Sequence, residues 1–62
     1  MYSLVGINGN AFDIMGHVSH CMEKEGKTKE EIKEYTDRVT SGDYSNLICE
    51  SQKMIDYLNG EK

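Results

Sequence analysis

Residues 26–31 read Gly26-Lys27-Thr28-Lys29-Glu30-Glu31, a helix stop followed at once by a helix start. Glycine at C′ adopts the left-handed backbone of a helix ending without a steric penalty. Thr28 with Glu31 three residues on is a capping box, in which hydroxyl and carboxylate each accept from an otherwise orphaned N–H. Upstream, a helix is predicted from Ala11 to about Glu25, with Asn10 as its N-cap. Ala11, Ile14, Met15, Val18, Cys21 and Met22 fall on one face at helical spacing. Phe12 lies to one side of that face, and Asp13, Ser19 and His20 point elsewhere. Downstream, a second helix is predicted to about Thr40 with a thin apolar stripe of Ile32, Tyr35 and Val39. Glu34 and Arg38 stand at i,i+4 in the favourable order, worth a few tenths of a kcal/mol.

Thr40-Ser41-Gly42-Asp43-Tyr44 is a second break. Gly42 ends one helix and Asp43 caps the next, predicted from Tyr44 to about Leu58. Tyr44, Leu47, Ile48, Ser51, Met54, Ile55 and Leu58 share one face of it, and Cys49 points nearly opposite. Asn59-Gly60-Glu61-Lys62 reads as a frayed tail. At the other end, Tyr2-Ser-Leu-Val-Gly-Ile7 reads as a short strand, closed by the turn cluster Asn8-Gly9-Asn10. The expected fold class is mainly α: one short N-terminal strand followed by three helices, in a single domain of 62 residues.

A lone strand leaves its own N–H and C=O groups unpaired. Three arrangements answer that need. The segment pairs with its twofold copy in a homodimer, lies over the helices as an irregular arm, or adds to a sheet edge of another protein. A domain this short has marginal stability and gains from a staple, which favours the homodimer. Its interface is expected at Tyr2, Leu4, Val5 and Ile7. Cys49 is either covered by the same subunit contact or left at a border by a shifted helix.

Composition narrows the function. There are 11 acidic and 7 basic side chains, a net charge of -4, and a mean hydropathy of -0.65. Five basic residues lie between positions 23 and 38, interleaved with Glu23, Glu25, Glu30, Glu31, Glu34 and Asp37. That mixture is a solvated helix face. Nucleic acid needs clustered Lys and Arg, so it is not an expected partner. The apolar runs are too short to span a membrane. The two cysteines, Cys21 and Cys49, form no CxxC pair, and the expectation is reduced thiols in a cytoplasmic protein.

Candidate chemistry is sparse. His17, His20 and Cys21 are at helical spacing and are ligand types that zinc accepts, but a structural site wants four ligands. The simpler reading is a buried Cys21, a boundary His17 and an exposed His20. A cysteine nucleophile needs a base beside it; only His17 or His20 could serve, and nothing in the sequence places either there. Gly6–Asn10 lies where phosphate-binding loops lie, yet neither a GxGxxG nor a GxxxxGK[ST] pattern is present. The simpler reading there is a tight turn and an N-cap. Tyr44 and Tyr57 offer the rigid area that interfaces favour. No cofactor and no enzymatic activity are expected.

Leu4-Val5-Gly6-x-x-Gly9-Asn10-Ala11-Phe12-x-Ile14-Met15-Gly16, Lys29-Glu30-Glu31-Ile32 and Thr40-Ser41-Gly42-Asp43-Tyr44-x-x-Leu47 together resemble a family of very small phage and prophage proteins. The resemblance covers residues 4–50. Family members often carry a tryptophan near the end of the last helix, where this chain has Met54-Ile55-Asp56-Tyr57. The family supplies no catalytic residues. What it implies is stoichiometric binding to a host bacterial protein, as anti-defence inhibitors do, an inhibitor of the Hachiman system among them. The leading expectation is thus a homodimeric inhibitor in the host cytoplasm. Its partner-binding residues are expected at Glu30, Glu34, Asp37, Ser41, Asp43 and Tyr44. The alternative is a protein that sequesters a small nucleotide-like ligand at a dimer interface flanked by the Gly6–Asn10 loops. A third reading is a metal-stapled domain.

Overall fold

The computed structural model describes residues 1–60. Three helices follow an N-terminal arm: α1 (Ala11–Lys24), α2 (Lys29–Thr40) and α3 (Tyr44–Leu58). Each packs against the other two. Their boundaries fall where the capping residues stand. Asn10 Oδ1 accepts from Phe12 N at 2.8 Å, and Asp43 Oδ1 accepts from Asn46 N at 2.9 Å. Thr28 and Glu31 form the full reciprocal capping box. After α1, Gly26 N donates to Glu23 O and Lys27 N to Met22 O, both at 3.0 Å. These are the two bonds of a Schellman ending.

The core is the sum of the three apolar stripes. Ile14, Val18, Cys21 and Met22 come from α1, Tyr35 and Val39 from α2, and Leu47, Ser51, Ile55 and Leu58 from α3. The thin stripe of α2 suffices because Tyr35, fully buried, reaches across to α3. Its hydroxyl shares a 2.6 Å hydrogen bond with the equally buried Ser51 Oγ. Pairing removes the penalty of burying either hydroxyl alone. The surface pair expected between Glu34 and Arg38 is replaced by a contact between helices. Arg38 Nε donates to Glu50 Oε1 of α3 at 3.1 Å.

Residues 2–7 are not a strand; no strand is present among the described residues. Ile7 N donates back to Leu4 O at 3.2 Å, closing a turn with Gly6 at φ +84° in the third position. That turn type requires positive φ there, which glycine supplies without strain. The polar groups that a partner strand was expected to satisfy are met by side chains instead. Tyr2 N donates to Asn59 Oδ1 and Asn59 Nδ2 donates to Tyr2 O, both at 2.8 Å. Ser3 O accepts from His17 Nε2 at 2.7 Å, and Ser3 Oγ accepts from Val5 N at 3.0 Å. Tyr2, Leu4 and Ile7 pack on the protein's own core. The second of the three arrangements is the one present, and the strand-paired dimer has no strand to form it.

Asn59 and Gly60, read from sequence as part of a frayed tail, form the ordered end of α3, with Asn59 N donating to Ile55 O and Gly60 N to Tyr57 O. The rest of that tail, Glu61 and Lys62, lies outside the described residues. Among those described, no helix is long and apolar enough to cross a membrane.

Candidate functional site

Tyr44 opens α3, and its position decides the shape of one end of the molecule. Asp43 caps the helix, so the Tyr44 side chain leaves the first turn toward the loop before α1. Its hydroxyl donates to Gly9 O, joining two segments 35 residues apart in sequence. The ring stands between two open concavities. One, of about 270 Å³, is lined by Ala11, Phe12, Met15, Val39, Asp43 and Leu47 among others. The second, of about 490 Å³, lies under the arm against Leu4, Val5, Ile7, Ile14 and Ile48. The rims carry large apolar side chains in water: Val5 is 89% exposed, Phe12 78% and Tyr44 51%. Scattered exposed apolar residues are ordinary, whereas grouped ones mark contact surfaces.

The structure brings some expected site residues together and separates others. Leu4, Val5, Ile7, Asp43 and Tyr44 meet at this end. Tyr2 lies elsewhere, its hydroxyl donating to Glu25 Oε2 at 2.7 Å. Of the residues expected in a dimer interface, Tyr2, Leu4 and Ile7 are half-buried against their own chain, while Val5 and Cys49 are exposed. Asp43 Oδ1 is engaged as a helix cap, and Ser41 Oγ donates to Arg38 O at 2.8 Å. Gly42 sits against Asn46, where a Cβ would come within 2.7 Å of the Asn46 amide nitrogen.

The α2 acids lie apart. Glu30, Glu34 and Asp37 are exposed on that helix, and Asp37 pairs with Lys33 at 3.2 Å. Glu34 borders a smaller hollow of about 140 Å³ with Lys27, Arg38 and Tyr57, which has no lining residue in common with the other two. There Lys27 Nζ lies 4.7 Å from the centre of the Tyr57 ring. Phe12 and Met15 are among the lining residues that the sequence reading did not select for a site. Phe12 carried a signal, being a large apolar side chain beside, and not within, the α1 stripe.

Two of the groups weighed for chemistry, His17 and Cys21, have structural partners. His17 Nε2 donates to Ser3 O, which fixes its tautomer, and Cys21 Sγ lies 3.7 Å from the same nitrogen. His20 is exposed. Among the described residues, no three His, Cys, Asp or Glu side chains converge. Burial pushes the Cys21 thiol up from its ordinary range, which disfavours the reactive thiolate. In the Gly6–Asn10 loop, Asn8 Oδ1 accepts from Asn10 N at 3.0 Å and Gly9 O accepts from Tyr44. The loop's polar groups thus hold the turn and the cap.

No family model matches the chain, and no match is found among curated proteins or solved structures.

Proposed function

We propose that the protein acts by stoichiometric binding of another protein through the end built around Tyr44, and that its target is a bacterial anti-phage defence protein, which it inhibits. One observation carries the binding reading. Val5, Phe12 and Tyr44 expose large apolar side chains around two adjoining concavities on a chain of 62 residues. Phe12 contributes little to its own fold at 78% exposure, so its area is available to a partner. Aromatic anchors seated beside shallow pockets are the usual centres of binding energy. The resemblance of residues 4–50 to small phage and prophage proteins supports the choice of target.

The test is plaque formation on cells carrying an anti-phage defence system such as Hachiman. The wild-type protein should restore plaques, and Phe12→Ala at equal abundance should not. Failure of the wild type to restore plaques in any defended strain sinks the inhibitor reading. Equal rescue by Phe12→Ala removes the Tyr44 end as the binding surface. Charge reversal of Glu30, Glu34 and Asp37 in the same assay tests whether the α2 face contributes.

A further inference from the structure

We propose that the Tyr44 end docks a basic, amphipathic helical segment of its protein partner; this rests on the binding reading above and adds the partner's chemistry. The charge distribution supplies the argument. All seven Lys and Arg residues lie at positions 24–38, 53 and 62, whereas every residue lining the two concavities lies within 1–23 or 39–52. Those two stretches hold no Lys or Arg; their acids are Asp43, which lines the first concavity, Asp13, in the first turn of α1 beside Phe12, Glu50 on α3, and Glu23 at the far end of α1. Glu50 is matched by Arg38 at 3.1 Å, which leaves Asp13 and Asp43.

Helix dipoles do not reverse the sign. The N-termini of α1 and α3 each contribute about half a positive charge, and the C-terminus of α2 about half a negative one. Two full carboxylates outweigh that sum, so the apolar end is acidic. A segment that is apolar on one face and bears Lys or Arg beside it satisfies both properties.

The same sign argues against other occupants. A second copy docking this same end against itself would set two surfaces of one negative sign against each other, and like charges across an interface are unfavourable. Phosphate-bearing surfaces are repelled. No strand edge exists among the described residues, so a docked segment gains no sheet pairing here. Two hollows flanking a single ring offer seats for two apolar side chains on one face of an amphipathic segment.

The experiment uses two synthetic amphipathic peptides with an identical Leu/Phe stripe, one carrying Lys and the other Glu on its remaining positions. Each is titrated into isotope-labelled protein and followed by NMR. The Lys peptide should shift the Phe12, Met15, Tyr44 and Leu47 signals, and should weaken severalfold as salt is raised past the point where exposed charges are screened. Asp13→Asn with Asp43→Asn should weaken it at least threefold while the fold persists, since asparagine caps helices as well as aspartate does. Phe12→Ala should abolish it.

Equal binding of the Glu peptide overturns the proposal, as does absence of binding by both. Lys-peptide shifts confined to Glu30, Glu34 and Asp37 overturn it too, as undirected attraction to the α2 face. Dilution-dependent shifts at Phe12 without peptide would assign the site to a second copy and overturn it. If Phe12→Ala blocks plaque rescue while the double asparagine variant rescues fully, the basic-partner inference fails and the binding reading stands.

Discussion

The side-chain amide of Asn59 makes with Tyr2 the pair of hydrogen bonds that a neighbouring strand would make. Tyr2 N donates to Oδ1 and Nδ2 donates to Tyr2 O, each at 2.8 Å. The contact joins residues 57 positions apart and holds the arm against the end of α3. It explains why the arm lies on its own chain, and it places an ordered residue where the sequence suggested fraying.

Asn59→Ala should therefore release the arm. Two net hydrogen bonds of about 0.5–1.5 kcal/mol each are lost, so stability should fall by about 1–3 kcal/mol. Amide exchange at Tyr2 and Ile7 should accelerate while the centres of the three helices stay protected. Unchanged exchange in the arm would show that Leu4 and Ile7 packing holds it alone.

Tyr35 and Ser51 should behave as one unit. Tyr35→Phe strands the buried Ser51 hydroxyl, and Ser51→Ala strands the phenol, each costing about 1–3 kcal/mol in urea unfolding. The double variant should lose clearly less than the sum, because neither partner is left behind. Simple additivity would mean the 2.6 Å hydrogen bond carries no coupling.

Two tyrosines should ionise late. The hydrogen bond to Glu25, then burial and that carboxylate's charge, push Tyr2 up to about 12 from 10.0. Burial raises Tyr35 as well, against smaller lowering effects of Ser51 and Arg38. A raised acid favours its neutral form in the fold. The stability it contributes is thus complete below pH 10 and lost as pH climbs toward about 12. In an absorbance titration, Glu25→Ala should move one late step down toward 10.0; a titration curve identical to wild type would refute the Tyr2–Glu25 contact.

Thiol chemistry should separate the cysteines. Cys49 is exposed and Cys21 buried, both free. A thiol reagent should label Cys49 at once and Cys21 only at the rate of unfolding. Labelling of Cys21 as fast as Cys49 under native conditions would contradict the packing of α1.

The helices were legible because their signals are local. Asn10, Thr28 with Glu31, and Asp43 mark each start, and the apolar residues recur at helical spacing with no competing pattern. The arm was misread because Tyr2–Ile7 is a short, largely apolar run closed by a turn cluster, as a strand would be, and nothing nearby in sequence reveals Asn59 and His17 as its partners. Of the candidate site, the sequence singled out Leu4, Val5 and Ile7 only for a dimer interface and Asp43 and Tyr44 only for a partner surface; that these gather at one end comes from the fold, and of the α2 acids Glu34 borders another hollow. Phe12 and Met15 needed three dimensions, since their prominence depends on what α2 and the arm leave uncovered.

By itself the sequence determined where each helix begins and ends and which face it buries, because capping and periodicity act within a few residues along the chain. It also determined the separation of charge, with cations confined to 24–38, 53 and 62. Only the tertiary structure decided that the N-terminal segment folds back as an arm, that Arg38 meets Glu50 and not Glu34, and that Tyr44 divides two apolar hollows. Those outcomes depend on groups 12 to 57 residues apart, brought together only when the three buried faces close on one another.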